Sequence, residues 1–293
     1  MIAKQSREGW FQSRNTSGFR FGTTPALRAT PPDSGGEFFV PKQPHTNSFS
    51  MKKLLAAMSL VILPGVCYLA WIFLTMPDVA ALARTNPKTT ALMRQRAEEK
   101  NQKLQPLSAW VPYRKISIHL RNAVLVSEDS AFFTHSGFDW TQIKESARRD
   151  WDEKRMARGA STITQQLAKN LYLSTSRNPL RKLQEVFISR ELEQRLSKER
   201  IFEIYLNVIE WGDGIYGIDA ASKRYFGKSS TDLRPEEAAV LAAMIPNPRR
   251  YTPKLNNTYL EKRKSEILDH MVRWHYLERS EYEDARARPV TYR

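Results

Sequence analysis

The chain has 293 residues and a formal net charge of +15, from 46 Lys and Arg against 31 Asp and Glu. So basic a balance suits nucleic acid, anionic lipid headgroups or a polyanionic substrate, but no basic stripe with interleaved aromatics, zinc-ligand spacing or recognition-helix pattern supports nucleic acid. The single cysteine, Cys67, excludes an intramolecular disulfide.

Residues 1–50 are rich in Ser, Thr, Pro, Gly and isolated Arg, without periodicity, and read as disordered. Met51-Lys52-Lys53 followed by apolar residues has the form of a bacterial start, so translation is expected to begin at Met51, with Met1 as the alternative. Residues 1–53 carry eight Lys and Arg against three Asp and Glu, which leaves +10 of the +15 for the rest of the chain. They are expected to form a cytoplasmic tail.

Residues 54–76 read LLAAMSLVILPGVCYLAWIFLTM, 23 residues without a charge. At about 1.5 Å rise per residue, a helix of roughly 20 residues crosses the hydrocarbon core, so one transmembrane helix is expected. Pro64-Gly65 is tolerated there, and Tyr68 and Trp71 suit an interface. A cleaved signal peptide is the alternative, since Ala81-Leu82-Ala83 resembles a cleavage site, but the run exceeds the usual signal core of about 7–15 residues. Lys52-Lys53 argue for a cytoplasmic entry side, while Arg84, Lys88, Arg94 and Arg96 just beyond the run weaken that count.

Residues 77–105 form a polar, helix-prone connector, and residues 106–293 show a mainly helical pattern with at most a small β element. Ile116, Leu120, Val124 and Leu125 sit at helical spacing, as do Ile188, Leu192 and Leu196. Ser197 is placed to cap a helix through Ile201, Ile204 and Tyr205, and Pro235-Glu236-Glu237 opens another that ends before Pro246. A long helix of mixed charge is expected over residues 256–275, with Ser280 capping a short last one.

Three segments carry candidate chemistry. Glu128-Asp129 follows the apolar Ala123 to Val126 and precedes Phe132-Phe133; acids pressed between apolar residues acquire perturbed proton affinities if buried, as a general base needs. The alternative is a solvated acidic pair at a helix end. Residues 159–172 read GASTITQQLAKNLY: a small-residue turn, then Thr162 with Gln165 three places on, the spacing of a capping box. The helix start that follows is dense in Ser161, Thr162, Thr164, Gln165 and Gln166, with Lys169 and Asn170 a turn later, the parts of an anion cradle or of a well-capped polar helix. Glu185, 57 residues beyond Glu128, lies among Arg181 and Lys182, as an intrahelical ion pair would. No Asp-x-Asp motif, zinc cluster or Gly-rich nucleotide loop is present, so no cofactor is required by the pattern; Mg²⁺ or Mn²⁺ assisting a diphosphate stays open. Ser50-Met51-Lys52-Lys53 has S-x-x-K spacing but no Lys-Thr-Gly partner, so penicillin-sensitive transpeptidation is not expected.

GASTITQQLAKNLYL closely resembles the second motif of the peptidoglycan glycosyltransferases, glycosyltransferase family 51. VSEDSAFFTHSGFDW (residues 126–140) resembles the first, residues 181–207 the third, GIYGIDAASKRYFGKSS (214–230) the fourth, and LRPEEAAVLAAMIPNPRRYTP (233–253) the last. The resemblance implies a lysozyme-like larger lobe and a smaller membrane-apposed lobe, in residues 106–293. It implies a monofunctional enzyme that polymerises lipid II on the periplasmic face of the bacterial inner membrane, as a single-pass protein. Lipid II and the lipid-linked glycan chain are then its substrates, with cell-division or elongation proteins as candidate partners.

On that resemblance Glu128 is the base for the acceptor sugar's 4-hydroxyl, Asp129 orients it or helps to position a cation, and Glu185 is a second active-site carboxylate near the leaving diphosphate. Lys169, Arg177 and Arg181 would meet the diphosphate charge, and Ser161, Thr162, Gln165, Gln166 and Asn170 would supply neutral donors. His135 is expected to be a hydrogen-bonded structural residue. A lysozyme-like glycan-cleaving enzyme and a non-catalytic membrane scaffold are the competing readings.

Overall fold

A computed structural model describes residues 50–139, 144, 161–173, 175, 178–253 and 257–293. The amino-terminal tail, the Gly159-Ala160 turn and Arg177 lie outside the described residues. The chain divides into two units, residues 1–57 and 58–293, and of the first only residues 50–57 are described.

The described residues are mainly helical. The apolar run forms α1 (Met51–Leu74), with Pro64 inside it; its best 18-residue window has a mean hydropathy of 2.1 and is 6% buried. An apolar helix that hides so little of itself within the protein has the character of a membrane span. Its exit end is tied to the body: the Tyr68 hydroxyl donates to the Leu180 carbonyl at 2.8 Å, and the rings of Phe73 and Phe187 meet with centroids 5.4 Å apart.

Beyond it follow α2 (Ala91–Glu99), α3 (Ile118–Glu128), α4 (Ile163–Tyr172), α5 (Pro179–Arg195) and α6 (Lys198–Val208). An antiparallel hairpin, β1 (Glu210–Gly212) with β2 (Ile215–Tyr216), leads into α7 (Ile218–Phe226), α8 (Pro235–Met244), α9 (Thr258–Arg273) and α10 (Arg279–Ala287). The hairpin is the small β element the pattern allowed.

The core forms around α8, where every residue from Glu236 to Met244 is buried. PEEAAVLAAM is apolar all round after its first turn, and such a helix belongs inside a globule. Both α3 and α9 pack against it and against each other. Burial of its acidic start is offset by Arg234 at 2.9 Å from Glu236, and by Arg234 and Lys228 on Glu237 at 3.1 and 2.9 Å.

Helix ends follow local chemistry. Thr162 accepts from the Gln165 N–H at 3.3 Å while the Gln165 side chain accepts from the Thr162 N–H at 3.1 Å, a complete capping box. Ser197 caps α6 at the Arg200 N–H, and Pro235 occupies the first turn of α8. The last helix departs from expectation. Ser280 lies inside α10, and Glu278 is the N-terminal flanking residue, its backbone N–H received by the Glu281 carboxylate three places on at 3.0 Å.

Candidate active site

The helix α3 stops at Glu128 because Asp129 leaves helical geometry, at φ −165 and ψ 78. The Asp129 carboxylate then receives the backbone N–H of Ile163, in the first turn of α4, at 2.9 Å. Its oxygens also meet Nε2 of His135 at 2.9 and 3.0 Å. Gly137 donates its N–H to His135 Nδ1 at 3.0 Å, which leaves Nε2 to carry the ring proton and donate to Asp129. Asp129 is 2% exposed, and these bonds fix the end of α3 against the start of α4. His135 is thus a hydrogen-bonded brace.

That joint brings Glu128 to Gln166. The Gln166 amide donates to Glu128 Oε2 at 2.9 Å, and its carbonyl oxygen accepts the Tyr205 hydroxyl at 2.8 Å. Burial pushes Glu128 up to about 7; the Gln166 bond, then Arg263 and Lys169, oppose this, and Asp129 adds to it. Tyr205 is fully buried and its proton affinity lies well above the usual phenol range for the same reason.

Lys169 stands one turn beyond Gln166 on α4. Burial depresses its proton affinity, and the Arg181 and Lys182 charges depress it further, against Glu185 and Glu128, which support the charged form. Glu185 is 3% exposed and receives Arg181 at 3.1 Å together with Lys182. Lys182 also reaches the Ser161 hydroxyl at 3.5 Å, so the start of α4 and the first turns of α5 share one polar patch. The Asn170 amide donates to the Gln166 carbonyl of the main chain at 2.8 Å.

A cavity of about 170 Å³ opens beside these groups, its polar lining including Gln166, Lys169, Asn170, Tyr205, Arg96 and Glu210. Glu128 does not line it; Gln166 links the two. Thr162 and Gln165 point elsewhere, spent on the capping box and, for Thr162, on the Gly137 carbonyl at 2.7 Å. Among the described residues no group of three or more His, Cys, Asp or Glu is arranged to hold a metal ion.

Four residues here had no signal of their own in the sequence. Tyr205 reads as a core aromatic at helical spacing, Arg96 as a connector charge, Glu210 as a residue after a helix, and Arg263 as one charge among many on α9. Only the packing of α2, α6, the hairpin and α9 around α4 and Glu128 brings them to the site.

Comparison with known proteins identifies the family. Residues 77–272 match the family model described as Transglycosylase. A protein named "Biosynthetic peptidoglycan transglycosylase" from Methylobacillus flagellatus is 46% identical over 201 residues, 68% of this chain and 85% of that one. One of the same name from Azoarcus sp. is 47% identical over 68% of this chain and 85% of its own, and one from Dechloromonas aromatica 41% identical over 75% and 97%. The crystal structure of Penicillin-Binding Protein 1A from Haemophilus influenzae is 29% identical over 45% of this chain and 16% of that chain, with a TM-score of 0.31, too low for a comparison of folds.

Proposed function

Because the chain belongs to the transglycosylase family of peptidoglycan synthesis, we propose that it polymerises lipid II into linear glycan strands by inverting transfer of the growing lipid-linked chain. Glu128 takes the proton of the acceptor's 4-hydroxyl, and that oxygen attacks the anomeric carbon of the chain. The bond to the diphosphate breaks, and undecaprenyl diphosphate leaves carrying the electron pair.

The observation that carries this reading is one side chain with two neighbours: Gln166 holds Glu128 by its amide while lining the cavity that contains Lys169. A carboxylate whose proton affinity is raised to about 7 is matched to taking a proton near neutral pH. A diphosphate needs no protonation to leave; it needs cations. Lys169, Arg181 and Lys182 supply them, with Glu185 holding the last two in place and Ser161 and Asn170 adding neutral donors. Thr162, Gln165 and Asp129 support this set by fixing the start of α4. This cation cluster favours transfer over the glycan cleavage that a lone raised Glu would also serve.

We read α1 as a single span of the inner membrane with the catalytic part on the periplasmic side, where a lipid-borne substrate and a growing wall meet. The test mixes the full chain in detergent with fluorescent lipid II and follows the length of the glycan formed. Wild type is expected to give long strands and Glu128→Gln none. Polymerisation by Glu128→Gln at the wild-type rate would refute the role given to the carboxylate, and release of short sugars from preformed glycan would favour cleavage.

A further inference from the structure

A second, larger cavity of about 430 Å³ lies between α2, the extended segment after it, the β hairpin and α7. Its charged lining consists of Arg96, Lys100, Lys103 and Arg224, with no carboxylate among the lining residues. Two of these cations are answered from outside it. Arg96 meets Glu99 at 2.7 Å and Glu210 at 3.5 Å, and Lys100 meets Asp213 at 2.7 Å. Lys103 and Arg224, both exposed, have no ion pair among the described residues.

The walls between the charges are apolar, with Met93, Leu107 and Ile215 among them. Tyr216 also lines the cavity, and its hydroxyl oxygen is buried without a hydrogen-bond partner among the described residues. A buried donor without an acceptor is unfavourable, so a ligand that offers one there recovers stability. Two unpaired cations, apolar walls and an unmet donor describe a receptor for an amphipathic anion. A nucleotide would call for a stacking platform, and an acyl chain would find too many charges.

Arg96 lines this cavity and also the one that holds Lys169. One side chain thus borders both cavities.

We propose that this cavity binds a short acidic peptide through its carboxylates, and that the peptide is the one borne by the peptidoglycan disaccharide. The second half rests on the polymerase reading above; the first does not. Carboxylates pair with Lys103 and Arg224, small apolar side chains lie along Met93, Leu107 and Ile215, and a peptide carbonyl accepts from Tyr216. A strand handled at the Lys169 cavity then has its side peptide received next door, which gives the enzyme a grip on the chain away from the reacting atoms.

The experiment titrates the full chain in detergent with fluorescent Ala-Glu-Ala-Ala bearing free carboxylates, and with the same peptide amidated. Saturable binding is expected for the free acid, weakened about tenfold by Lys103→Gln with Arg224→Gln and similarly by amidation, the scale of one charge-assisted hydrogen bond. Tyr216→Phe removes an unpaired hydroxyl, so it is expected to fold at least as well as wild type and still bind less. With peptide-bearing lipid II the double variant should show a raised KM and an unchanged kcat. With a lipid-linked disaccharide lacking the peptide it should match wild type. Absence of saturable peptide binding, or binding indifferent to the double substitution or to amidation, overturns the proposal. So does binding of phosphatidylglycerol vesicles that the double variant loses while the peptide fails to bind. If wild type polymerises neither substrate, the polymerase reading fails, and the peptide titration still decides the cavity.

Discussion

Glu128 and Gln166 are joined by a hydrogen bond of 2.9 Å, and the other end of the same Gln166 amide holds Tyr205 at 2.8 Å. One side chain therefore holds the carboxylate in place and, against the burial that raises its proton affinity, favours its charged form.

The pH profile should show it. Glu128 works ionised, so kcat/KM is expected to fall as pH drops through about 7. The Gln166 amide favours the charged form; in Gln166→Ala the acid limb should move upward by roughly half to one pH unit. A limb in Gln166→Ala that stays where wild type has it would separate Gln166 from the tuning of Glu128.

Stability should move the opposite way. Folded Glu128 keeps its proton up to about 7, against 4.5 for an unperturbed carboxyl. That preference favours the folded state fully below 4.5 and is lost as pH rises through 7, where a charge is held out of water. Glu128→Gln removes the titration, so the inactive variant should unfold at higher denaturant than wild type at pH 8, by about 1–3 kcal/mol after allowance for residual solvent, with the gap closing toward pH 4.5. Denaturation followed by tryptophan fluorescence at both pH values measures this.

Lys169→Ala is expected to lower kcat by about 10²–10³, the scale of removing one preorganised electrostatic group from a transition state. Its depressed proton affinity also predicts a basic limb below the usual lysine range. Glu185 supports the charged form, so Glu185→Gln should carry that limb to still lower pH. Steady-state rates from pH 6 to 10 on the three proteins test this; coincident basic limbs would disconnect Glu185 from Lys169.

Asp129→Ala should act on the fold rather than on the chemical step alone. It strips the Ile163 N–H and His135 Nε2 of their acceptor inside the protein, at about 1–3 kcal/mol for each buried donor left unmade. A lower midpoint of thermal unfolding, with the acid limb of the residual activity moved to lower pH because the Asp129 charge no longer raises Glu128, is the expected result.

Gly217 is held at φ +83, and a Cβ there would lie 2.8 Å from the Asn207 carbonyl oxygen. Gly217→Ala should destabilise the hairpin-to-α7 turn by about 1–3 kcal/mol, read as a fall in the denaturation midpoint.

How legible the protein was depends on distance along the chain. The Thr162–Gln165 box, the Ser197 cap and Pro235 are decided within four residues, and the sequence showed them because the chemistry is local. The Ser280 expectation failed at the same range: the helix starts earlier, after Glu278, whose N–H is held by the Glu281 carboxylate. The raised affinity of Glu128 was expected from its apolar flanks, but the Gln166 bond behind it spans 38 residues and the Tyr205 bond 39. Contacts of that reach follow from how α4 and α6 pack, which periodicity does not specify. Thr162 and Gln165, candidates for substrate binding by composition, are hidden donors and acceptors of the fold, a distinction that residue type alone does not make.

Leu180, which holds the Tyr68 hydroxyl, stands five residues before Glu185 on α5, a rise of roughly 7.5 Å. With α1 crossing the bilayer as proposed, that short stretch of helix works as a spacer. It holds the carboxylate that organises Arg181 and Lys182 at a fixed distance along α5 from the end of the apolar helix.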